Sequence, residues 1–366
     1  MDFVLTELCQ QVMTARGAER PLHIRGGGTK RFYGEPVDQE NVHDTAVLDL
    51  SGYQGVVNYQ PSELVITARA GTLLSEVEAL LAEQDQMLAF EPPRFGEAST
   101  IGGCIASGLS GPRRMAAGSA RDFVLGAKLL DSSGSVLAFG GEVMKNVAGY
   151  DISRLLAGSL GILGPMVEVS VKVAPRPFEE ATVILELTQA AALNNFSQWR
   201  GLPVPISATA WHAEGSGPQG RLYVRVSGSG PAIANGVKRI GGEAMDPAAA
   251  FSFWESVRDH THPFFAARPL WRVALPSNAG ALDYPQAFVE WNGGLRWIAG
   301  VSDAPELRSI ASRLGGHATL FRHGPGKPDV PVFHPLSPGL SNINRRLKQE
   351  LDPTGIFNPN RMFPDF

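Results

Sequence analysis

Residues 24–30 read Ile-Arg-Gly-Gly-Gly-Thr-Lys, three successive glycines placed directly after the apolar run Pro21-Leu22-His23-Ile24. The run predicts a short strand, and the glycines predict a turn whose backbone can bend freely or come close to another group. A P-loop is excluded by order: it needs Gly-Lys followed by Ser or Thr, and here Lys30 follows Thr29. A GxGxxG dinucleotide fingerprint is weakened, because Arg31 stands where the third glycine belongs. The later run GSLGILG at 158–164 spaces its glycines by three and does not fit either. Two readings remain open for the turn alone, a nest of converging amides for an anion and a tight turn with no ligand.

Composition narrows the class of protein. With 366 residues the chain is long enough for two domains, each with its own core. Its 41 glycines cluster in the first half, which predicts turns and ligand-hugging backbone there. A net charge of −4, with no block of Lys and Arg, argues against a nucleic-acid partner. The opening MDFVLTELCQQVMTARG has no basic stretch leading into an apolar run, and no segment reaches the length of a membrane span, so the cytoplasm is the expected compartment. Cys9 and Cys104 are the only cysteines, too few for a disulfide framework, a cysteine-rich metal site or a four-cysteine iron–sulfur cluster. His260 and His262 stand in no HExxH-like spacing, so packing or surface roles are expected and no metal site is assigned.

Along the chain, Phe3, Val4, Leu8 and Val12 recur at helical spacing and predict an amphipathic helix over 3–13. Strands are expected at AVLDL, VVNYQ and ELVITARA, followed by a helix over LLSEVEALLAEQ with Thr72 as its N-cap. The stretch 91–118 mixes Gly, Pro and Ser with small apolar residues, which predicts a buried loop or short helix facing a ligand. FVLGAKLLD, SVLAFG and the alternating PMVEVSVKVAP add strands, and Pro175 and Pro177 mark a boundary. Beyond it, strands ATVILELT, LYVRVSG and LRWIAGVS alternate with helical patterns near 232–240, 248–258 and 304–314, a second α+β unit.

Taken together, the glycine-rich blocks resemble the flavin-binding domain of the vanillyl-alcohol oxidase and p-cresol methylhydroxylase (PCMH-type) family. The match runs through Ile24–Thr29, Pro92-Pro93 to Gly103, Gly118-Ser119-Ala120-Arg121-Asp122, and Lys145-Asn146 through Gly149-Tyr150-Asp151 to Gly164. Within it, SGLSGPRRMAAGSARDFVLG, MKNVAGYDISRLLAGSLGILG, GGHATLFR and the terminal LKQELDPTGIFNPNRMFPDF are similar to the smaller FAD-binding subunits of bacterial glycolate oxidase (glycolate dehydrogenase) complexes. The resemblance implies an α+β fold: a two-part PCMH-type FAD-binding domain over 1–177, then a smaller α+β cap or substrate domain over 178–366 whose end returns towards the flavin. It also implies a larger FAD-binding subunit and an iron–sulfur subunit as partners, a small 2-hydroxy acid as substrate, and membrane association only through those partners.

On the same resemblance FAD contacts fall to Arg25, Gly26, Gly27, Gly28 and Thr29 on the first turn, with Pro93, Thr100, Ile101, Gly102 and Gly103 on the second loop. Gly118, Ser119, Gly161 and Ile162 complete the set, Ile162 through its backbone. Side chains at 26–28 would push the phosphates away. With Thr29 where some relatives attach flavin through histidine, and His23 on the preceding strand, noncovalent FAD is expected. Cys104 has two readings, a thioether to flavin or a small packing residue, and Asn358 two more, contact with the flavin edge or plain turn chemistry.

Related 2-hydroxy-acid dehydrogenases carry HGxGDGNxH, whereas residues 321–327 here read FRHGPGK, without the acid and the final histidine. Arg322 has two readings, a partner for a substrate carboxylate or a surface ion pair. No catalytic residue is assigned. The implied activity is that of an FAD-binding subunit of a complex oxidising glycolate to glyoxylate, with electrons passing through flavin to an iron–sulfur partner. The alternatives are a free-standing 2-hydroxy-acid dehydrogenase and a subunit whose FAD fold serves assembly or electron relay.

Overall fold

The computed structural model describes residues 2–36, 46–141, 151–215, 217–326 and 328–364. The block Lys145-Asn146 through Gly149-Tyr150 lies outside the described residues. Helices and strands are both abundant, and the α+β expectation holds.

The opening helix runs Phe3–Gly17, with Asp2 accepting from the Val4 amide at its start. Its buried Leu8, Val12 and Ala15 lie one helical turn apart, on the face that packs with Leu22, Leu48 and Phe357. Leu22–Arg25 and Ala46–Asp49 pair in parallel, and the glycine turn leaves the end of the first of them. Beside this pair is an antiparallel five-stranded sheet, ordered Val56–Gln60, Val65–Arg69, Met166–Lys172, Val124–Leu130 and Val136–Gly140. The helices Leu74–Ala82 and Ile101–Ser107 pack on it through Leu74, Val77, Leu81, Ile101 and Ile105. Thr72 is not the N-cap of the first of these helices; Leu73 holds that position, without a side-chain bond. The Thr72 hydroxyl instead donates to the Arg69 carbonyl at 2.7 Å and accepts from the Gly55 amide at 2.9 Å, tying a loop to the sheet.

Among the described residues, no strand up to Pro175 pairs with a strand from Glu179 onward. The later strands make one antiparallel eight-stranded sheet. Its four central neighbours are Gln219–Gly228, Ile206–Ala213, Ala287–Glu290 and Leu295–Ala299, with Leu270–Ala274 following next to the edge strand. The unit expected to be the smaller therefore carries the larger sheet. Side chains alternate across it: Trp271 and Val273 enter a core under the helices Gln189–Trp199, Gly230–Ile240 and Ala304–Arg313, whereas Leu270 faces the other way. That second face meets Tyr33 and Leu109 of the earlier strands' unit, together with Phe32 and Phe95, across an aromatic seam.

Two polar locks fix the arrangement. At the seam Glu91 accepts from the Arg225 Nη2 at 2.8 and 2.9 Å and from the Arg113 amide at 2.9 Å, while Arg113 also reaches Glu180 at 2.5 Å. At the C-terminal end, helix Pro338–Leu351 is anchored by the buried Lys348, whose Nζ donates to Asp352 (2.6 Å), the Ile162 carbonyl (2.6 Å) and the Phe357 carbonyl (2.7 Å). The chain then returns to the first strand, where Leu22 bridges Phe357.

Removing one member of a buried, hydrogen-bonded pair strands the other, at a cost of about 3–5 kcal/mol. Lys348→Met should therefore lower unfolding stability by about that much in a denaturant titration. The seam lock has a pH signature. Burial pushes the Glu91 carboxyl up, but Arg225 and Arg113 together outweigh it and hold its pKa below the ordinary 4.5. A depressed folded-state pKa contributes stability above the unfolded value and loses it as pH falls through the folded one. Stability measured against pH should fall below pH 4.5, and Glu91→Gln should flatten that part of the curve.

Candidate functional site

The glycine turn forms one wall of a cleft of about 1170 Å³. Gly28 takes φ +73°, a conformation in which glycine alone is unstrained, and the Arg31 amide closes a turn onto the Gly28 carbonyl at 3.2 Å. The amides of Gly26, Gly27, Gly28, Thr29 and Lys30 meet no acceptor among the described residues. A run of unpaired donors has the chemistry of an anion-binding nest.

What keeps the turn in place is contact with the second loop. A Cβ on Gly27 would lie 1.4 Å from the Ala98 carbonyl oxygen, and one on Gly26 would lie 2.5 Å from Thr100 Oγ1. Both positions also line the cleft, so packing is a second reason for glycine there: backbone lies against Gly27 and the Thr100 hydroxyl against Gly26. Thr100 caps the Ile101–Ser107 helix by accepting from the Gly103 amide at 3.2 Å, and the Ile101 and Gly102 amides donate to Thr72 and Ala70 carbonyls at 2.9 Å. The helix start therefore offers the cleft a surface of small atoms, and the donors come from the first turn.

The cleft brings together Arg25, Gly26, Gly27, Gly28, Thr29, Thr100, Gly102, Gly103 and Gly161 from the expected set. Pro93, Ile101, Gly118, Ser119 and Ile162 do not line it. Ile101 is buried in the core under its helix. Pro93 lines a separate small cavity at the seam. Gly118 ends the Arg114–Ala117 helix, and the Ser119 amide and hydroxyl both donate to Asp122, at 2.8 and 2.7 Å. The Ile162 backbone serves the interior, its carbonyl accepting from Lys348.

Sequence reasoning missed the electrostatics. Lys30, Arg31, Arg361 and His23 line the cleft beside Arg25, and among the described residues no Asp or Glu does. Three of these cations sit within seven residues of the glycine turn and were legible there as a basic flank. Arg361 was not, since it arrives from the far end of the chain, donating to the Arg31 and Tyr33 carbonyls at 2.7 and 2.6 Å. Lys30 is steered by Ser99 Oγ at 2.7 Å and the Arg94 carbonyl at 3.2 Å. Burial depresses the His23 pKa, with help from the nearby Arg361 charge. Apolar Val47, Leu50, Ala70, Leu160 and Met166 line other parts of the cleft. A ligand with both anionic oxygens and flat apolar rings fits this lining.

Asn358 also lines the cleft, and its side chain is fully used as a clasp. Its Oδ1 accepts from the Ile24 amide at 2.8 Å and its Nδ2 donates to the Leu160 carbonyl at 2.7 Å, joining the first strand to the third block. Cys104 is absent from the lining; it is buried in the core, and burial pushes its thiol up to about 12, so it packs as a small apolar residue. Arg322 makes no ion pair among the described residues; its guanidinium lies 3.9 Å from the Phe32 ring centroid, stacked on the seam. Among the described residues no group of three or more His, Cys, Asp or Glu side chains is placed to hold a metal. No described helix is long and apolar enough to cross a membrane.

Comparison with known proteins agrees with this geometry. A family model described as an FAD binding domain matches residues 6–140. The glycolate oxidase subunit GlcE of Escherichia coli (strain K12) is 42% identical over 360 residues, covering 98% of this chain and 97% of its own. The glycolate oxidase subunit GlcD of Bacillus subtilis (strain 168) is 29% identical over 49% of this chain and 37% of its own length. The crystal structure of an alkyldihydroxyacetonephosphate synthase superposes with a TM-score of 0.66 at 16% identity, covering 96% of this chain and 74% of that one, a likeness of fold. With a relative this similar end to end and an FAD binding domain across the cleft-forming blocks, the chain belongs to the GlcE family of FAD-binding glycolate oxidase subunits.

Proposed function

We propose that this chain is the FAD-carrying subunit of a complex that oxidises glycolate to glyoxylate, with electrons leaving to an iron–sulfur partner and a larger FAD-binding subunit alongside. The observation that carries the reading is the cleft: five consecutive amides, Gly26 to Lys30, without a partner among the described residues, in a lining whose described side chains include cations and no carboxylate. In this reading residues 1–177 form the FAD-binding domain and residues 178–366 the cap domain, and the C-terminal segment completes the cofactor cleft through Asn358 and Arg361.

The amides of the first turn would hold the FAD pyrophosphate, with Arg25, Lys30, Arg31 and Arg361 offsetting its charge. Thr29 would add a hydroxyl donor. FAD supplies a two-electron acceptor when bound, and the protein tunes it by position and charge. Attachment is noncovalent in this reading, because Cys104 is buried away from the cleft. Two cysteines cannot build a four-cysteine iron–sulfur cluster, and in this reading the onward carrier belongs to another chain. Contact with a membrane, if the complex has any, comes through the partners.

The absent HGxGDGNxH segment supports the subunit reading over a free-standing dehydrogenase. In its place His323 bonds its own neighbour, Nδ1 lying 2.7 Å from the Gly324 carbonyl.

Purified alone, the chain should be yellow with bound FAD; anaerobic glycolate should bleach the flavin once the partner subunits are present. A colourless chain would count against the cofactor, and bleaching without partners would favour the free-standing enzyme. The cleft itself is tested at Gly103, where an added Cβ meets only Thr100 Oγ1, at 3.2 Å. Gly103→Asp should cut FAD affinity by at least about tenfold by setting a carboxylate beside the pyrophosphate site, while Gly103→Ala retains most of it. Gly27→Asp should also lose flavin, but by prising the two loops apart, and so should Gly27→Ala.

A further inference from the structure

At the seam between the two sheets, two arginines stand against one indole. The guanidinium carbons of Arg114 and Arg272 lie 4.6 and 5.3 Å from the Trp291 ring centroid. Neither makes a hydrogen bond or ion pair through its side chain with any described residue, whereas Arg113, Arg225 and Arg258 on the same seam each hold a carboxylate. Asp122, whose charge reaches Arg114, is engaged by Ser119. Glu290, whose charge reaches Arg272, is buried and accepts from Trp297 Nε1 at 2.7 Å, and burial pushes it up to about 8. Burial and the neighbouring Arg272 charge bring Arg114 down to about 10. Two half-buried cations are thus left without a counter-ion.

The backbone beneath them is strained. Trp291 and Asn292 take φ of +55° and +51°, a region that side-chain-bearing residues rarely enter. They are held there by Trp291 Nε1 donating to the Gly111 carbonyl at 3.0 Å and by the Asn292 amide donating to Thr209 Oγ1 at 2.9 Å. Strain kept by specific clamps belongs to sites that must present a side chain in one pose. Beside Arg272 lies a cavity of about 20 Å³, lined also by Ser110, His260 and Glu290. The His260 Nδ1 is closed to solvent and has no partner. That volume admits a single water-sized group, so an occupant of the seam is small or lies mostly at the guanidiniums.

We propose that Arg114 and Arg272, set on either lobe around Trp291, form the binding site for the carboxylate of a small 2-hydroxy acid. A guanidinium presents parallel N–H donors that match a carboxylate, which makes arginine better suited than lysine to this task. Because one arginine comes from each side of the seam, the acid binds where the cofactor-bearing blocks meet the large sheet. The choice of glycolate as the acid rests on the proposed function above, and the site is tested with it.

The test is anaerobic calorimetric titration of the purified full-length chain with glycolate and with glycolamide, its uncharged counterpart, while visible absorbance reports flavin content separately. Glycolate should bind and glycolamide should not. Arg114→Gln and Arg272→Gln should each weaken glycolate binding about tenfold to a hundredfold. Arg272→Lys should recover part of the loss by restoring charge without the fork, and it guards against misfolding of the glutamine variant. The exposed Arg200→Gln should change nothing. If the wild type binds no glycolate, or if both glutamine variants bind it as the wild type does, the site is overturned. A chain that binds glycolate through these arginines yet carries no FAD would uphold the site and overturn the cofactor reading.

Discussion

Backbone packed against backbone at Gly27 is the contact on which the cleft depends. With only 1.4 Å between the place a Cβ would occupy and the Ala98 carbonyl oxygen, the first turn and the second loop approach as closely as two chains can. That approach joins the turn to the second loop, while the turn itself lines the cleft and its amides from Gly26 to Lys30 have no partner among the described residues. A residue with a side chain at this point would separate the loops and scatter the donors. The glycines matter less for the room they leave to a ligand than for the rigidity of what lies behind it.

The remaining walls are brought to that turn by long-range polar clasps. Asn358 joins Ile24 to Leu160, and Lys348 joins Ile162 to Phe357 and Asp352. Each clasp satisfies backbone groups that would otherwise be buried without partners, and the penalty for leaving them so gives the C-terminal segment a fixed address. Arg361 arrives with that segment and adds its charge to the cleft. The other side of the molecule is tied in at the seam, where Glu91 sits between Arg113 and Arg225. These paired arginines set off the two around Trp291, which have no carboxylate partner among the described residues.

Some of this was legible in the chain. Alternation in PMVEVSVKVAP and the SSG turn signal at 132–134 predicted strands, since successive side chains face opposite sides of a strand, although the polar Glu168 and Ser170 turn out buried as well. The run of glycines after an apolar strand predicted bare backbone, and the order of Lys30 and Thr29 excluded the P-loop. Local signals failed where a local rule had a non-local competitor. Thr72 has the chemistry of an N-cap, yet its hydroxyl is taken by Gly55 and Arg69. Ile162 and Ser119 sit in family-like blocks, yet Lys348 and Asp122 claim them.

The sequence by itself determined the α+β class, the glycine-lined turn and the absence of any cysteine-built cluster, because these follow from short-range periodicity, spacing and counting. Tertiary structure decided which donors stay unpaired, that Cys104 is core, that Arg361 and Asn358 belong to the cleft, and that Arg114 and Arg272 share one indole. Whether a polar group is satisfied depends on what the fold carries to it from hundreds of residues away, and no window of sequence contains that information.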